Sequence, residues 1–432
     1  MNSPQLKVTG CAPRAARPAC GHLPRPRVLH LLTSFETGGT ERQAVELLRR
    51  LDAQRFDVQL AVLRREGPLQ EQIADRFPVV PEFRLTSFLS LNAIRQCWRL
   101  VRLLRRTRTD ILHTHDFYGG LLGAVAGRLA GVRVITSQRH LRLSERRSHA
   151  SGQRLMHSLA HRIVVNAAII RDQLVRAGTA PLTRVTLVRN GLLNEATINR
   201  ATIRAQLLDE LRLNDDALLI GSVARLQPVK GHRFLIEAFA QVADIHPNAH
   251  LVLIGDGPLK DEIIRLAAQF GVAERVHLTG DRADAAQLIA GCDLSVLASL
   301  HEGLPNAVME AMAAGVPVVA TAVGGVTELL TEHRTGWLAL PGDAEALFKA
   351  INAALGNEAQ QAVIAAQARE FITSRFSMQR AVAAVEKLYE DLLRERERAL
   401  SQKILRSRDF IFRDFKWSAP DRTTPAGLAE RW

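Results

Sequence analysis

Residues 218–257 read LLIGSVARLQPVKGHRFLIEAFAQVADIHPNAHLVLIGDG. An apolar run, LLIGSV, is followed by a polar turn, an amphipathic helical segment and a second apolar run, HLVLI. Apolar strands that alternate with helices predict parallel β-α-β units, in which helices cover both faces of a sheet. The stretch therefore predicts an α/β fold. It also directs attention to the residues that follow each strand, because ligands bind there in such sheets.

The same alternation extends in both directions and restarts once. Short apolar runs such as RVLHLLTS, DVQLAVL, DILHTH and RVITS precede a turn at Asn190-Gly191, and RVHLTG, LSVLAS and PVVAT follow the central stretch. This rhythm predicts two tandem Rossmann-like, doubly wound domains. We expect the following organisation: a disordered extension at 1–24, a first domain at 25–193, a second domain at 194–375, a helix at 376–400 that crosses back to the first domain, and a basic-aromatic tail at 401–432.

Composition excludes several classes of protein. Of 432 residues, 47% are hydrophobic and 23% are charged, which is typical of a soluble globular chain. Arginines interrupt the longest apolar stretches, and no apolar segment follows Met1, so we expect neither a membrane span nor secretion. The four cysteines (Cys11, Cys20, Cys97 and Cys292) show no CxxC spacing, which favours free thiols in a cytoplasmic protein.

Charge is unevenly distributed along the chain. Residues 1–190 carry 31 Lys and Arg against 13 Asp and Glu, whereas acidic residues are in excess in the remainder. A basic half predicts an anionic partner. Only 5% of residues are aromatic, and no stacking platform or zinc-finger pattern is present, so we expect no nucleic acid. An anionic membrane surface or an anionic substrate remains.

The predicted helix over 91–106 carries two stripes. The apolar stripe, expected to pack, consists of Ile94, Cys97, Trp98, Val101 and Leu104. The basic stripe consists of Arg95, Arg99, Arg102 and Arg106. Such a ladder is either a solvated surface or a contact with anionic lipid. The second interpretation predicts a peripheral protein at the cytoplasmic face of the inner membrane.

Cations and glycines follow several strands. Arg225 and Lys230 come after LLIGSV, and two cations at a strand end suit two phosphate groups, although a solvated loop explains them equally well. Gly255 and Gly257 permit close backbone approach to a ligand or simply form a turn. Gly38-Gly39 precede a helix whose N-terminus could bind an anion, and Thr40 with Gln43 has the form of a capping box.

Residues 301–321, HEGLPNAVMEAMAAGVPVVAT, place two carboxylates eight positions apart. Pro305 is typical of the first turn of a helix, and Gly315 with Pro317 ends it. Glu302 is therefore expected on the loop and Glu310 inside a helix of about ten residues. This arrangement could hold a ligand lengthwise, with a hydroxylated group near each carboxylate.

Several of these motifs together resemble a known family. VARLQPVKG, LIGDGP, HEGLPNAVMEAMAAGVPVVAT and VGGVTELL resemble the C-terminal domain of retaining GT4-type glycosyltransferases (group 1, GT-B fold). TSFETGGTERQAVELLRRL, DILHTHDFYG and RVTLVRNG resemble their N-terminal domain, so the resemblance covers about residues 27–395. It implies an active site in the interdomain cleft. Asn166 and the lack of an acidic residue in RNGLL depart from the family pattern on the acceptor side.

The resemblance also implies roles. Arg225 and Lys230 would bind the donor diphosphate and stabilise the leaving group, and Glu310 would hold ribose hydroxyls. Glu302 would hold the donor sugar. The remaining implied positions are the backbone amides of Gly303, Leu304 and Asn306, the Gly38-Gly39 loop that closes over the donor, and His115 beside the reacting sugar. A structural strand-end role for His115 stays open, and His113 is expected to pack in the interior.

The implied reaction transfers a sugar from a nucleoside diphosphate sugar to a lipid-linked or other envelope glycan acceptor. No metal or other cofactor is expected, because no DxD pair follows a strand and the histidines show no ligand spacing. Three alternatives stay open: a nucleotide-sugar epimerase of the same fold, a glycoside hydrolase that uses Glu302 and Glu310, and a non-catalytic polyanion binder. Base, sugar, acceptor and linkage are not predicted.

Overall fold

The computed structural model describes residues 25–88, 90–139, 147–193 and 199–413. The predictions for the extension at 1–24, for Cys11 and Cys20, and for the tail beyond residue 413 lie outside the described residues. Among the helices within the described ranges, none combines the length and the apolar composition that crossing a bilayer requires.

The first domain is a parallel sheet of six strands in the order β2-β1-β3-β4-β5-β6. Its strands are β1 (Arg27–Leu32), β2 (Asp57–Val62), β3 (Ile111–Thr114), β4 (Arg133–Gln138), β5 (Arg162–Val165) and β6 (Val185–Leu187). Its helices are α1 (Gly39–Arg50), α2 (Leu91–Arg106), α3 (Phe117–Ala130), α4 (Arg147–Leu159) and α5 (Ala168–Arg176).

The second domain repeats this architecture in the order β12-β11-β10-β7-β8-β9. Its strands are β7 (Leu218–Val223), β8 (Ala249–Ile254), β9 (Val276–Gly280), β10 (Leu294–Leu297), β11 (Val318–Thr321) and β12 (Trp337–Ala339). Its helices are α6 (Arg200–Leu211), α7 (His232–Ile245), α8 (Lys260–Gln269), α9 (Ala285–Leu288), α10 (Asn306–Ala313), α11 (Val326–Leu329), α12 (Ala344–Leu355) and α13 (Glu358–Arg375).

The predicted fold class, α/β with two tandem doubly wound domains, is confirmed. Every strand is paired in parallel with its neighbours in one of the two sheets. Strand β12 was not predicted from the sequence. It is three residues long, too short for periodicity to distinguish it from a loop.

The last helix, α14 (Met378–Arg413), is longer than the helix expected at 376–400, so the expected tail begins as helix. Although α14 follows the second domain, its first turns pack against the first. Met378, Val385 and Tyr389 share one apolar cluster with Val28 and Ile111 of the first sheet. The C-terminal helix therefore lies against the strands that carry part of the candidate site.

Helix α2 buries only part of the predicted apolar stripe: Val101 and Leu104 are buried and Cys97 packs against the same cluster, as expected. Ile94 and Trp98, expected to pack, are 58% and 51% exposed. The buried residues of the helix are Ala93, Gln96, Leu100, Val101 and Leu104. The buried residues Leu100, Val101 and Leu104 share one apolar cluster with Leu122, Ala124 and Ala126 of α3. The outer face thus carries apolar side chains as well as arginines.

Candidate active site

The loops that follow the strands of the two domains meet across a cleft. Glu36, after β1, lies against Arg225, after β7, with 3.4 Å between Oε2 and Nη2. Asn306 Nδ2, at the start of α10, donates to the carbonyl oxygen of Gly39 at 3.3 Å. The carboxyl edges of both sheets therefore contribute to one site.

Glu302 lies on the loop after β10 and is held from two sides. Its Oε1 accepts hydrogen bonds from Lys230 Nζ at 2.6 Å and from Ser299 Oγ at 2.6 Å. Gly324, with φ of 52°, passes so close that a Cβ there would lie 1.9 Å from the carbonyl oxygen of Glu302. Only glycine fits that position. Oε2 makes no hydrogen bond to any residue that the structure describes.

Glu310 lies within α10, as predicted, and is 7% exposed. Burial raises the pKa of its carboxyl, and the guanidinium of Arg42, across the cleft, opposes that shift. Arg42 Nη1 lies 3.4 Å from Glu310 Oε1, yet that oxygen has no hydrogen-bond partner among the described residues. An unpaired buried acceptor costs about 1–3 kcal/mol, which a ligand hydroxyl would recover.

The turn between the two carboxylates packs closely against the first domain. Pro305 occupies the N-cap of α10 rather than its first turn. A Cβ on Gly303 would lie 2.0 Å from the carbonyl oxygen of Arg139, so the domains could not approach as they do with a larger residue there. Leu304 is buried, and its carbonyl oxygen accepts from Asn190 Nδ2 at 3.4 Å.

The Gly38-Gly39 pair begins α1, with Gly38 at the N-cap. The predicted capping box is wrong, because Thr40 lies inside the helix and Gln43 instead pairs with the backbone of Gly191, Nε2 to O at 2.7 Å. The carboxylate of Glu41 folds over Gly38, where a Cβ would lie 2.1 Å from Oε2. Burial raises the pKa of Glu41.

Each predicted cation is matched by a carboxylate in this state. Lys230 ends a short 3-10 turn, Pro228–Lys230, and binds Glu302. Arg225 is half-exposed and faces Glu36. Both side chains lie beside the cleft, and any anion that bound them would replace carboxylate contacts rather than water alone.

His115 follows β3 at the same edge and is 2% exposed. Its Nε2 lies 2.9 Å from His30 Nδ1, while its Nδ1 has no partner among the described residues. Burial holds the pKa of His115 well below its usual range, and His113, His30 and the cation of Arg139 lower it further. His113 is buried as expected, with Nδ1 2.7 Å from Tyr389 Oη and Nε2 2.9 Å from Ser137 Oγ.

Although the histidines show no ligand spacing along the chain, three of them lie together in the structure. His30 lies in β1, His113 lies in β3 and His115 follows β3, and one ring nitrogen from each lies within 4.8 Å of the other two. Parallel pairing of β1 and β3 aligns His30 with His113, a proximity that spacing along the chain does not reveal. Five of the six ring nitrogens are hydrogen-bonded to protein, so a cation would have to displace existing bonds.

Several cleft residues were not predicted from the sequence. Arg42 pairs with Glu310, and Asn190 Nδ2 donates to Asn306 Oδ1 at 2.8 Å. Arg139 Nη1 donates to Asn190 Oδ1 at 3.0 Å. Asn190 was identified only as a turn former. The carboxyl ends of neighbouring strands were the available signal, since both Arg139 and Asn190 follow strands.

Two family models match the chain. The family described as Glycosyl transferases group 1 matches residues 204–371, and Glycosyltransferase Family 4 matches residues 37–192. These matches correspond to the second and first domains, respectively.

Individual proteins agree with the family matches. The chain is 23% identical to UDP-Gal:alpha-D-GlcNAc-diphosphoundecaprenol alpha-1,3-galactosyltransferase of Escherichia coli, over 85% of this chain and 97% of that protein. It is 25% identical to 2-deoxystreptamine glucosyltransferase of Streptomyces kanamyceticus, over 72% and 85%. The crystal structure of Anabaena HepE with UDP and glucose superposes with a TM-score of 0.74 at 24% identity, over 85% of this chain and all of HepE. The last likeness shows the fold.

Proposed function

The chain belongs to the group 1 glycosyltransferases, and we propose that it transfers a sugar from a nucleoside diphosphate sugar to an acceptor hydroxyl with retained anomeric configuration. The observation that carries the proposal is the pair of unequal carboxylates on α10 and its preceding loop. Glu302 is hydrogen-bonded to a cation, whereas Glu310 has an ion-pair contact with Arg42 but keeps a buried oxygen without a hydrogen bond. This pair suits a ligand with a charged centre and hydroxyls at both ends.

In the proposed complex, Arg225 and Lys230 bind the diphosphate. As the bond to the sugar breaks, negative charge grows on the leaving phosphate, and the two cations that have exchanged their carboxylate partners for the diphosphate stabilise that charge. They supply the electrostatic role that a divalent metal fills elsewhere, so we propose metal-independent transfer.

Glu310 then accepts hydrogen bonds from the ribose, and Glu302 Oε2 accepts from the donor sugar. The amides of Gly303, Leu304 and Asn306, with Gly38 and Gly39 opposite, enclose the donor. The acceptor attacks from the face that the diphosphate leaves, and the leaving phosphate receives the proton, so no protein nucleophile is needed. In the same proposal, His115 lies beside the reacting sugar. Closure of the cleft excludes water and limits donor hydrolysis.

Panels of UDP-, GDP- and ADP-sugars test the proposal by thermal stabilisation, because a ligand that binds only the folded state raises Tm. We expect one nucleotide series to stabilise the protein and to release nucleoside diphosphate only with an acceptor, in the presence of EDTA. Lys230→Ala should abolish both effects, whereas Lys349→Ala, on the exposed face of α12, should preserve them. An isomerised sugar without acceptor would instead indicate an epimerase, glycan cleavage a hydrolase, and binding without turnover a polyanion binder.

For the acceptor, we propose a lipid-linked or other envelope glycan reached by docking of α2 on the cytoplasmic membrane. Arg95, Arg99, Arg102 and Arg106 are all exposed, and Trp98 lies among them. Each cation contributes on the order of 1 kcal/mol near an anionic surface, and a tryptophan suits the headgroup region. The name of the Escherichia coli relative, which includes a diphosphoundecaprenol, supports this choice.

A further inference from the structure

A continuous hydrogen-bonded chain runs from His115 into the interior of the first domain. His115 Nε2 meets His30 Nδ1 at 2.9 Å, and His30 Nε2 meets Tyr389 Oη at 3.1 Å. The same Tyr389 oxygen meets His113 Nδ1 at 2.7 Å, and His113 Nε2 meets Ser137 Oγ at 2.9 Å. All five side chains are buried, and Tyr389 is the one that the crossing helix α14 contributes.

Proton counting leaves this chain two arrangements. Burial holds the three imidazoles neutral, with the pKa of His30 at about 3, and raises the pKa of Tyr389 well above its usual range. A neutral imidazole has one donor and one acceptor nitrogen, and the phenol donates a single proton. All four hydrogen bonds of the chain must therefore run in the same direction from donor to acceptor. Either all three rings carry their proton on Nδ1, or all three carry it on Nε2.

Ser137 distinguishes the two arrangements. If the rings carried their protons on Nε2, His113 would donate to Ser137, and the buried hydroxyl would need an acceptor of its own. His113 is its one side-chain partner among the described residues. An unsatisfied buried donor costs about 1–3 kcal/mol. In the opposite arrangement Ser137 donates to His113, and the one group left without a partner is His115 Nδ1–H, which is buried. The Nε2 arrangement leaves two groups without a partner among the described residues, the Ser137 hydroxyl proton and the His115 Nδ1 acceptor, so the Nδ1 arrangement is favoured in the free protein. A substrate oxygen that reaches His115 would accept the remaining proton.

We propose that Tyr389 is a positioning residue that, with Ser137 as the terminal donor, holds His115 as the Nδ1–H tautomer, so that the catalytic histidine presents a hydrogen-bond donor to the sugar nucleotide. The inference rests on the proposed function for the identity of that ligand, but the tautomer itself is a property of the free protein. The crossing helix thereby acts on the reaction through two intervening links.

Nitrogen NMR of the full-length, 15N-histidine-labelled protein tests the tautomer without any substrate. We expect His30, His113 and His115 to carry their protons on Nδ1, each assigned by the loss of its signals in a His→Gln variant. In Tyr389→Phe the chain is cut, and His115 should become a mixture of both tautomers. Thr136→Val is the matched control, because it removes a buried hydroxyl without a partner from the neighbouring position of β4.

Kinetics provides the second measurement. In Tyr389→Phe we expect kcat to fall about tenfold, with donor KM changed less than threefold. The loss is smaller than the roughly hundredfold or greater effect of removing a proton donor, because part of the His115 population keeps its proton on Nδ1. Thr136→Val should keep the kcat of the unmodified protein. Ser137→Ala should also lower kcat, because His113 loses the donor that orients the chain.

Two outcomes would overturn the inference. Protons on Nε2 in the three rings would reverse the orientation, and an unchanged His115 tautomer in Tyr389→Phe would remove Tyr389 from the relay. If the tautomers behave as expected but no sugar nucleotide binds, the proposed function fails while the relay stands. The two failures are therefore distinguishable.

Discussion

At the scale of single residues, Glu302 and Glu310 show how one motif contains two chemically different carboxylates. Glu302 is neutralised by Lys230 and fixed by Ser299, so its position is defined before a ligand arrives. Glu310 has a buried oxygen without a hydrogen-bond donor. A preorganised group contributes chiefly in the transition state, and an unsatisfied one contributes chiefly to binding.

This difference predicts that Glu310→Ala weakens donor binding, whereas Glu302→Ala slows transfer. We expect Glu310→Ala to raise the Kd of the bound nucleoside diphosphate about tenfold, equivalent to losing one or two hydrogen bonds. Glu302→Ala should lower kcat by about a hundredfold with a smaller change in Kd. Calorimetric titration and initial rates measure the two effects.

Glu345→Ala is the control for this pair, since Glu345 lies exposed on α12 in an ion pair with Lys349. It should leave Kd and kcat unchanged. Wild-type kinetics in both Glu302→Ala and Glu310→Ala would contradict the two-ended site.

Sequence reasoning found the residues of this motif but not their partners. Glu302 and Glu310 could be assigned to loop and helix because proline and glycine mark the ends of α10. Arg42 and Glu36 could not be assigned, because they lie in the other domain and no spacing along the chain encodes a contact across the cleft. The three-histidine cluster escaped for the same reason: strand register, not sequence distance, brings it together.

At the scale of the element, α2 shows why a helix can be predicted correctly in its bounds and only partly in its buried face, since Val101 and Leu104 are buried but Ile94 and Trp98 are not. Its bounds, Leu91–Arg106, agree with the prediction. Its apolar residues cover more than one face, so periodicity alone is compatible with buried Ile94 and Trp98. In the structure α2 packs on α3, and both side chains are exposed. The error strengthens the membrane proposal, because the arginine stripe now has apolar neighbours.

We therefore predict that Arg99→Glu/Arg102→Glu weakens binding to anionic vesicles. Reversing two charges that each contribute on the order of 1 kcal/mol should reduce binding at least tenfold. Co-sedimentation with phosphatidylglycerol-containing vesicles measures the effect, and Trp98→Ala should give a smaller loss.

The matched control is Arg265→Glu/Arg334→Glu, which makes the same charge change at exposed positions of the second domain. It should bind vesicles like the unmodified protein. Equal binding to neutral and anionic vesicles would refute docking through α2.

At the scale of the whole molecule, the two domains are joined by polar contacts and by α14. Gln43 and Asn190 of the first domain both reach Asn306 of the second, at 3.3 and 2.8 Å. Tyr389 links the crossing helix to the histidines of the first sheet. The strand pattern could predict two domains, but not that the C-terminal helix would contribute a side chain to a buried cluster beside the cleft.

The buried histidines predict that stability falls on acidification. Burial lowers the pKa of His30 to about 3, with a contribution from Arg76, and the pKa values of His157 and His232 to about 4. An unfolded histidine titrates near pH 6.5, so below that pH the unfolded state binds more protons than the folded state. Their contribution to the free energy of unfolding is therefore complete above pH 6.5 and is lost as pH falls toward 4.

Carboxyls with raised pKa act in the opposite direction. Burial raises the pKa of Glu41, Asp116 and Glu310, so protonation in the folded state relieves a destabilising charge as pH falls. The histidines outnumber these acids, because burial lowers the pKa of eight histidines and raises the pKa of three carboxyls among the described residues. Urea denaturation should thus give a lower free energy of unfolding at pH 5.0 than at pH 7.5.

His157→Gln isolates one histidine, because neither ring nitrogen of His157 has a hydrogen-bond partner among the described residues and the residue lies on α4. Removing one titrating group should reduce the slope of the free energy of unfolding against pH by about 1 kcal/mol per pH unit near pH 5.5. A change in the overall stability of the variant does not affect this comparison, because only the slopes of the free energy of unfolding against pH are compared. A free energy of unfolding that is constant or rises from pH 7.5 to 5.0 would show that the acids, and not the histidines, control the pH dependence of folding.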